Sequence, residues 1–147
     1  MTGEVVTVGV DASEGSVRAL RWALREARLR GARLRAVLAW SYLDQPKGSF
    51  DPAYGEDDAR GQLDEALALV AGGADDVEID PVLVNDLPAR ALLAAARDAD
   101  LLVVGSRGLG GFKGLLLGSV SQQVVQHAPC PVVVVPGDER PASRREP

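Results

Sequence analysis

The sequence predicts a doubly wound α/β domain, with five parallel strands in the order 3-2-1-4-5 and helices on both faces. Two observations carry that reading. Five short apolar runs rich in Val and Leu recur along the 147 residues, and helical patterns or long polar stretches separate them. The first run is nearly continuous instead of alternating, as a strand buried on both faces requires. Parallel strands need crossovers of about ten residues or more, and right-handed crossovers pack helices onto the sheet.

The first strand is Val5 to Val10, β-branched almost throughout. It stops at Asp11-Ala12-Ser13-Glu14-Gly15, a turn with several capping side chains. Val17, Leu20, Leu24 and Ala27 then recur at helical spacing, and Gly31 is the expected stop. Leu34 to Trp40 is the second strand. Residues 42–55 hold Pro46, Gly48, Pro52 and Gly55 and read as a long loop, whose acidic character runs on to residue 61. Leu63, Ala66, Leu67 and Val70 mark the second helix, ended by Gly72-Gly73.

Val77 to Val84 is the third strand, and Pro81 inside it calls for a sheet edge, because proline cannot donate to a central ladder. Pro88 suits the first turn of a third helix, with Ala89, Leu92, Leu93 and Ala96 on its apolar face. Leu101 to Val104 is the fourth strand. Residues 105–118 are rich in glycine. Val120, Val124 and Ala128 mark the fourth helix, and Val132 to Val135 the last strand. Residues 1–136 thus form one domain, and 137–147 read as a disordered polar tail.

Composition narrows the function. Apolar residues make up 46% and charged residues 25%, as in a water-soluble domain. The net charge of −5 argues against binding nucleic acid, which depends on neutralising phosphates. Seven arginines crowd residues 18–35, and they read as the solvated side of a helix and its exit. One cysteine, Cys130, excludes an internal disulfide and a cysteine-based zinc cluster. No signal pattern and no membrane-length apolar run is present, so the expected setting is the cytoplasm, with no membrane partner.

Ligands of open α/β sheets bind beyond the C-terminal strand ends, where strand order reverses. Three segments qualify: Asp11 to Ser13, Ala39 to Ser41, and the loop after strand four. That loop has six glycines among the 15 residues Gly105 to Ser119, and it runs into a helix. Glycines let main-chain N–H groups reach phosphate oxygens, and a helix start adds free N–H groups and a positive dipole end. Ser119 and Ser121 add hydroxyls, and Arg107 and Lys113 are candidate phosphate cations. The loop is not a Walker-type P-loop, since Lys113 is followed by Gly114, and Gly9-x-Asp11 lacks a dinucleotide fingerprint.

Gly105-x2-Gly108-x9-Gly118-Ser119 resembles the ATP-binding signature of the universal stress protein family, Gly-x2-Gly-x9-Gly-[Ser/Thr]. Val8 to Ser13 resembles the family's first strand and acidic turn, and His127 to Val135 its closing segment. The resemblance covers residues 4–136 and is to the ATP-binding branch, in a single-domain, actinobacterial-like form. It implies ATP as ligand, with or without Mg²⁺, and a regulatory role in stress response. It places Asp11 at the adenosine, Gly9, Val10 and Ala39 near the adenine, and Val104 and Gly105 beside the nucleotide. Gly108, Gly118, Ser119, Val120 and Ser121 would surround the phosphates. It also implies a homodimer through Val132 to Val135, and a further protein partner of unspecified kind. Asn85-Asp86-Leu87-Pro88 departs from the pattern, since many relatives have a glycine there.

Other readings stand beside this one. Asp11 also suits a helix cap, and Trp40 is positioned to stack on a base. Trp22 reads as surface packing, His127 as a helix C-terminal residue, and Cys130 as a packed, inert thiol. No general base or metal-acid cluster is evident, so catalysis is limited to slow ATP hydrolysis or self-phosphorylation on Ser119 or Ser121. An adenylyl-transferring enzyme and a ligand-free dimeric interaction protein are the remaining alternatives.

Overall fold

The computed structural model describes residues 3–45, 50–70, 72, 76–106 and 117–137. The five apolar runs become β1 (Val5–Gly9), β2 (Arg33–Trp40), β3 (Ile79–Asn85), β4 (Leu101–Gly105) and β5 (Val132–Val135). All neighbouring pairs are parallel, and the order is β3-β2-β1-β4-β5. Pro81 lies on the edge strand β3, opposite Ala36 of β2. Among the described residues, four helices connect the strands: α1 (Glu14–Arg30), α2 (Glu56–Val70), α3 (Pro88–Ala95) and α4 (Ser119–His127).

Alternation along the central strands divides the core in two. Val6, Val8 and Val10 pack under α1 and α2 with Leu20, Leu24 and Leu63. Leu102 and Val104 pack on the opposite face with Leu92 of α3 and Val124 of α4. β1 leads through α1 to one side of the sheet, and β4 leads through α4 to the other. The strand order therefore reverses between β1 and β4.

Both ends of α1 follow from local chemistry. Ser13 caps the start, its hydroxyl oxygen accepting from the Ser16 amide at 3.1 Å. Gly31 takes the left-handed conformation at φ 65°, and the Ala32 amide returns to the Ala27 carbonyl at 2.8 Å. Helix α2 begins at Glu56, so the acidic segment read as loop to residue 61 is helical in its last six residues. Glu56, Asp57 and Asp58 sit in the first turn, where the helix dipole favours them. Carboxylates at a helix start carry no apolar period, so the pattern hid that boundary.

Three of the arginines read as a solvated face, Arg28, Arg30 and Arg35, have carboxylate partners among the described residues. Arg28 pairs with Asp76 at 2.9 Å, and Arg30 with Glu26 at 2.8 Å. Arg35 is mostly buried. It grips Asp98 at 2.7 Å and donates to the Ala95 carbonyl at 3.1 Å, tying β2 to the end of α3. The hydrogen bond from Arg35 holds the Asp98 carboxyl below its ordinary 3.8. A depressed folded-state value means the stabilisation is full above 3.8 and is lost as pH falls through the folded value. Asp98→Asn is therefore expected to lower stability at pH 7 and to leave it unchanged near pH 2. The Asp98 side chain is largely exposed, so the loss at pH 7 should be a few tenths of a kcal/mol. Urea denaturation at the two pH values measures it.

One polar group in the central strand is unsatisfied. Thr7 is 0% exposed, and its Oγ1 has no hydrogen-bond partner among the described residues. Thr7→Val replaces that hydroxyl with a methyl of similar shape. It is expected to raise stability by about 1 kcal/mol, because a buried unpaired hydroxyl costs about that much or more. A thermal or urea melt checks the gain.

Candidate functional site

The candidate site forms where β1 and β4 end side by side, with Val8 level with Val103. Beyond that level the two chains part, β1 turning toward α1 and β4 toward α4. Ala39 of β2 follows in the same register, two residues past the Gly9–Val37 pair. Gly9, Val10, Asp11, Ala39, Val104 and Gly105 therefore share one end of the sheet, as expected.

Their side chains divide in role. Val10 and Val104 are buried in opposite cores, so only their backbone faces the site. Gly9 is explained by packing, since a Cβ there would meet Leu92 Cδ1 at 3.0 Å. Any side chain there would require the Leu92 side chain to give way by a few tenths of an ångström.

Asp11 sits in a closed hydrogen-bonded turn. Its Oδ1 accepts from the Ser13 amide at 2.7 Å. The Asp11 amide donates to Ser16 Oγ at 3.0 Å, and the Ser16 hydroxyl donates back to the Asp11 carbonyl at 2.8 Å. Asp11 is not the helix cap, which is Ser13; its carboxylate instead braces the turn that leads into α1. One carboxylate oxygen serves the turn, and the other has no partner among the described residues. Ser16, which is buried, was not picked out by the sequence. Its only signal is a serine five residues after Asp11, at a spacing that common helix caps share.

The start of α4 is built differently. Gly118 is its N-cap and makes no side-chain cap, being a glycine. The Gly118 amide donates to the Ser106 carbonyl at 2.7 Å, and the Ser106 amide donates to Val135 at 2.9 Å. The first turn is thereby tied through Ser106 to the ends of β4 and β5. Ser121 is buried, and its hydroxyl donates to the Gly105 carbonyl at 2.6 Å. That proton is committed to holding α4 on β4, which leaves Ser119 as the exposed hydroxyl of the first turn. Val120 packs partly on the second core cluster. The expectations for Gly108, Arg107 and Lys113 fall outside the described residues, as does that for the polar tail beyond residue 137.

The remaining candidates are placed as follows. Trp40 meets Tyr54 edge to face at 6.4 Å, so one side of its ring already has an aromatic neighbour. Trp22 packs partly buried on the first core cluster. His127 is exposed in the last turn of α4. Cys130 is half-buried, and burial pushes its thiol up, aided by the charge of Asp100. A raised thiol stays protonated and unreactive. Among the described residues, no three His, Cys, Asp or Glu side chains gather as a metal site would need. No helix among them is long and apolar enough to cross a membrane.

Sheet order, switch point and glycine-started helix together call for comparison with known proteins. The family model described as the universal stress protein family matches residues 4–136. The chain belongs to the universal stress protein family. A universal stress protein of Mycobacterium tuberculosis is 41% identical over 143 residues, covering 93% of this chain and 45% of the relative. One from Mycolicibacterium smegmatis is 36% identical over 145 residues, covering 93% of this chain and 49% of the relative. The chain spans about half the length of these curated relatives.

Solved universal stress proteins share the fold. A structure in complex with cAMP is 31% identical, with a TM-score of 0.69 over 92% of this chain and 98% of the other. The Archaeoglobus fulgidus protein in complex with dAMP is 26% identical, with a TM-score of 0.67 over 92% of this chain and 99% of the other. The UspA protein of Lactobacillus plantarum, at 23% identity, superposes with a TM-score of 0.75 over 92% of this chain and 99% of that one.

Proposed function

We propose that this chain binds an adenine nucleotide, ATP by preference, and acts as a regulatory module in stress response. The observation that carries the reading is the start of α4. Its N-cap is a glycine with no side-chain cap, and it opens at the switch point between β1 and β4. Free N–H groups and the positive dipole end would receive the phosphates there. The free oxygen of Asp11 would accept a hydrogen bond from the ribose or base. Gly9, Val10, Ala39, Val104 and Gly105 would contribute backbone beside the adenosine. Gly105, Gly108, Gly118, Ser119 and Val120 would surround the phosphates, with Ser121 holding the helix in position.

Two relatives of known structure support the ligand class, since they are complexes with cAMP and dAMP. ATP as the specific ligand rests on the Gly105-x2-Gly108-x9-Gly118-Ser119 signature. Asp11 is the only carboxylate at the described site, and one carboxylate does not form a magnesium cage. Mg²⁺ would thus arrive on the phosphates. Occupancy stabilises the folded state by mass action and changes the surface that partners meet. The reading places the protein in the cytoplasm, where the adenine-nucleotide pool lies. It also includes a homodimer formed along Val132 to Val135, which is an outer strand of the sheet with half-exposed side chains.

A slow enzyme is the second reading, favoured by the exposed hydroxyl of Ser119 at the helix start. Calorimetric titration with ATP, ADP, AMP and cAMP, with and without Mg²⁺, separates the two when paired with a phosphate-release assay. Binding without turnover supports the regulatory module. Sustained Mg²⁺-dependent turnover, or phosphate on Ser119, moves the protein to the enzymes. No binding of any adenine nucleotide removes the site.

A further inference from the structure

We propose that the outer face of α1 and α2 is a second self-association surface, where two copies dock with each α1 lying over the partner's α2. The argument starts from charge. Helix α1 carries five arginines against two glutamates, net +3. Helix α2 carries five carboxylates against Arg60, net −4. The two helices lie on the same face of the sheet. Both return between parallel strands, so they run in the same direction. One face of the molecule thus presents a positive helix beside a negative one, and such a face complements itself.

The exposed residues on the two helices share the same spacing as well. Arg21, Arg25 and Leu29 follow one another at four-residue steps on α1, and all three are exposed. Asp57, Gly61, Glu65 and Leu69 do the same on α2. Leu29 is 81% exposed and Leu69 is 58% exposed, each one residue from the end of its helix. Counting back four residues from each leucine reaches Arg25 on one helix and Glu65 on the other. Four more reach Arg21 and Gly61. Each four-residue step spans about 6 Å on both helices, so the stripes stay in step. Arg21, Arg25 and Glu65 have no ion-pair partner among the described residues. Arg28 and Arg30, which lie off this stripe, are already paired.

Symmetry selects one arrangement. A two-fold axis running along the helices sets α1 over the partner's α2 with both helices in register. Arg25 then faces a glutamate, Leu29 faces a leucine, and Arg21 lies over a glycine that leaves room for its guanidinium. Every contact occurs twice. An axis running across the helices would stack α1 on α1 and α2 on α2, bringing like charges together. The surface is separate from the β5 edge and from the nucleotide site.

Site-directed cross-linking tests the proposal, in a Cys130→Ser background and without nucleotide. A Leu29→Cys protein is mixed with a Leu69→Cys protein under mild oxidation, and each is also oxidised alone. The mixed pair is expected to exceed either self-pair by about tenfold. Arg25→Glu in both proteins should remove that excess, Glu65→Arg should do the same, and the two together should restore it. Added salt should suppress it, because the charges are exposed. All these positions are exposed, so unchanged melting curves would show that the fold is retained. Equal yields in all three reactions, a dominant Leu29→Cys self-pair, or no restoration by the double reversal would overturn the proposal. The result is independent of whether ATP binds.

Discussion

A Ser119→Glu variant should bind ATP roughly thirtyfold more weakly than the parent, and yet unfold at a slightly higher temperature. Both effects come from one added charge. At the first turn of α4, a carboxylate meets the free N–H groups and the positive end of the dipole. This is worth about 0.5 kcal/mol, or about 1–2 °C in Tm for a chain of this size. Ser119 is exposed, so the longer side chain fits. The same carboxylate would stand where the phosphates are expected, and like charges at short range near a surface cost about 2 kcal/mol after screening. Calorimetry and a thermal melt measure the two halves. The opposite signs matter, because a variant that merely misfolds loses binding and stability together. Unchanged affinity would place the phosphates elsewhere.

Ser16→Ala should cost about 2 kcal/mol of stability and weaken nucleotide binding about tenfold, although Ser16 is not proposed to touch the ligand. Its hydroxyl closes both backbone groups of Asp11, at 3.0 and 2.8 Å. Without it the Asp11 amide and carbonyl lose their partners in a half-buried turn, and the free carboxylate oxygen loses its aim. Urea denaturation measures the first effect and calorimetry the second. A stability loss with unchanged affinity would show that Asp11 serves the turn before α1 alone.

The central strands β1 and β4 were legible because each is a continuous apolar run buried on both faces, and such runs have few other uses. Pro81 disclosed its edge position because the cause, a missing N–H donor, is local to the residue. Gly31 disclosed the end of α1 because its freedom to take a positive φ is local too. The start of α2 was not legible, because Glu56, Asp57 and Asp58 signal a helix only through a dipole that exists once the helix does. The site shows a similar division. Asp11 and Gly118 were readable from their places at strand and helix ends. The roles of Ser16 and Ser121 were not, because each depends on a hydrogen bond that only the folded turn creates. Gly9 could be read as a ligand contact, but only the packed structure reveals Leu92 against it. Sequence marks where a backbone must bend, and packing decides what occupies the space.

The central claim is that an adenine nucleotide rests against the first turn of α4, and mass spectrometry of the denatured protein tests it most directly. Parent and Ser119→Glu proteins would be purified alike, unfolded, and the released small molecules identified. The account predicts ATP or another adenine nucleotide from the parent and little or none from the variant. A parent that releases no nucleotide, and that fails to take up added ATP, would contradict it.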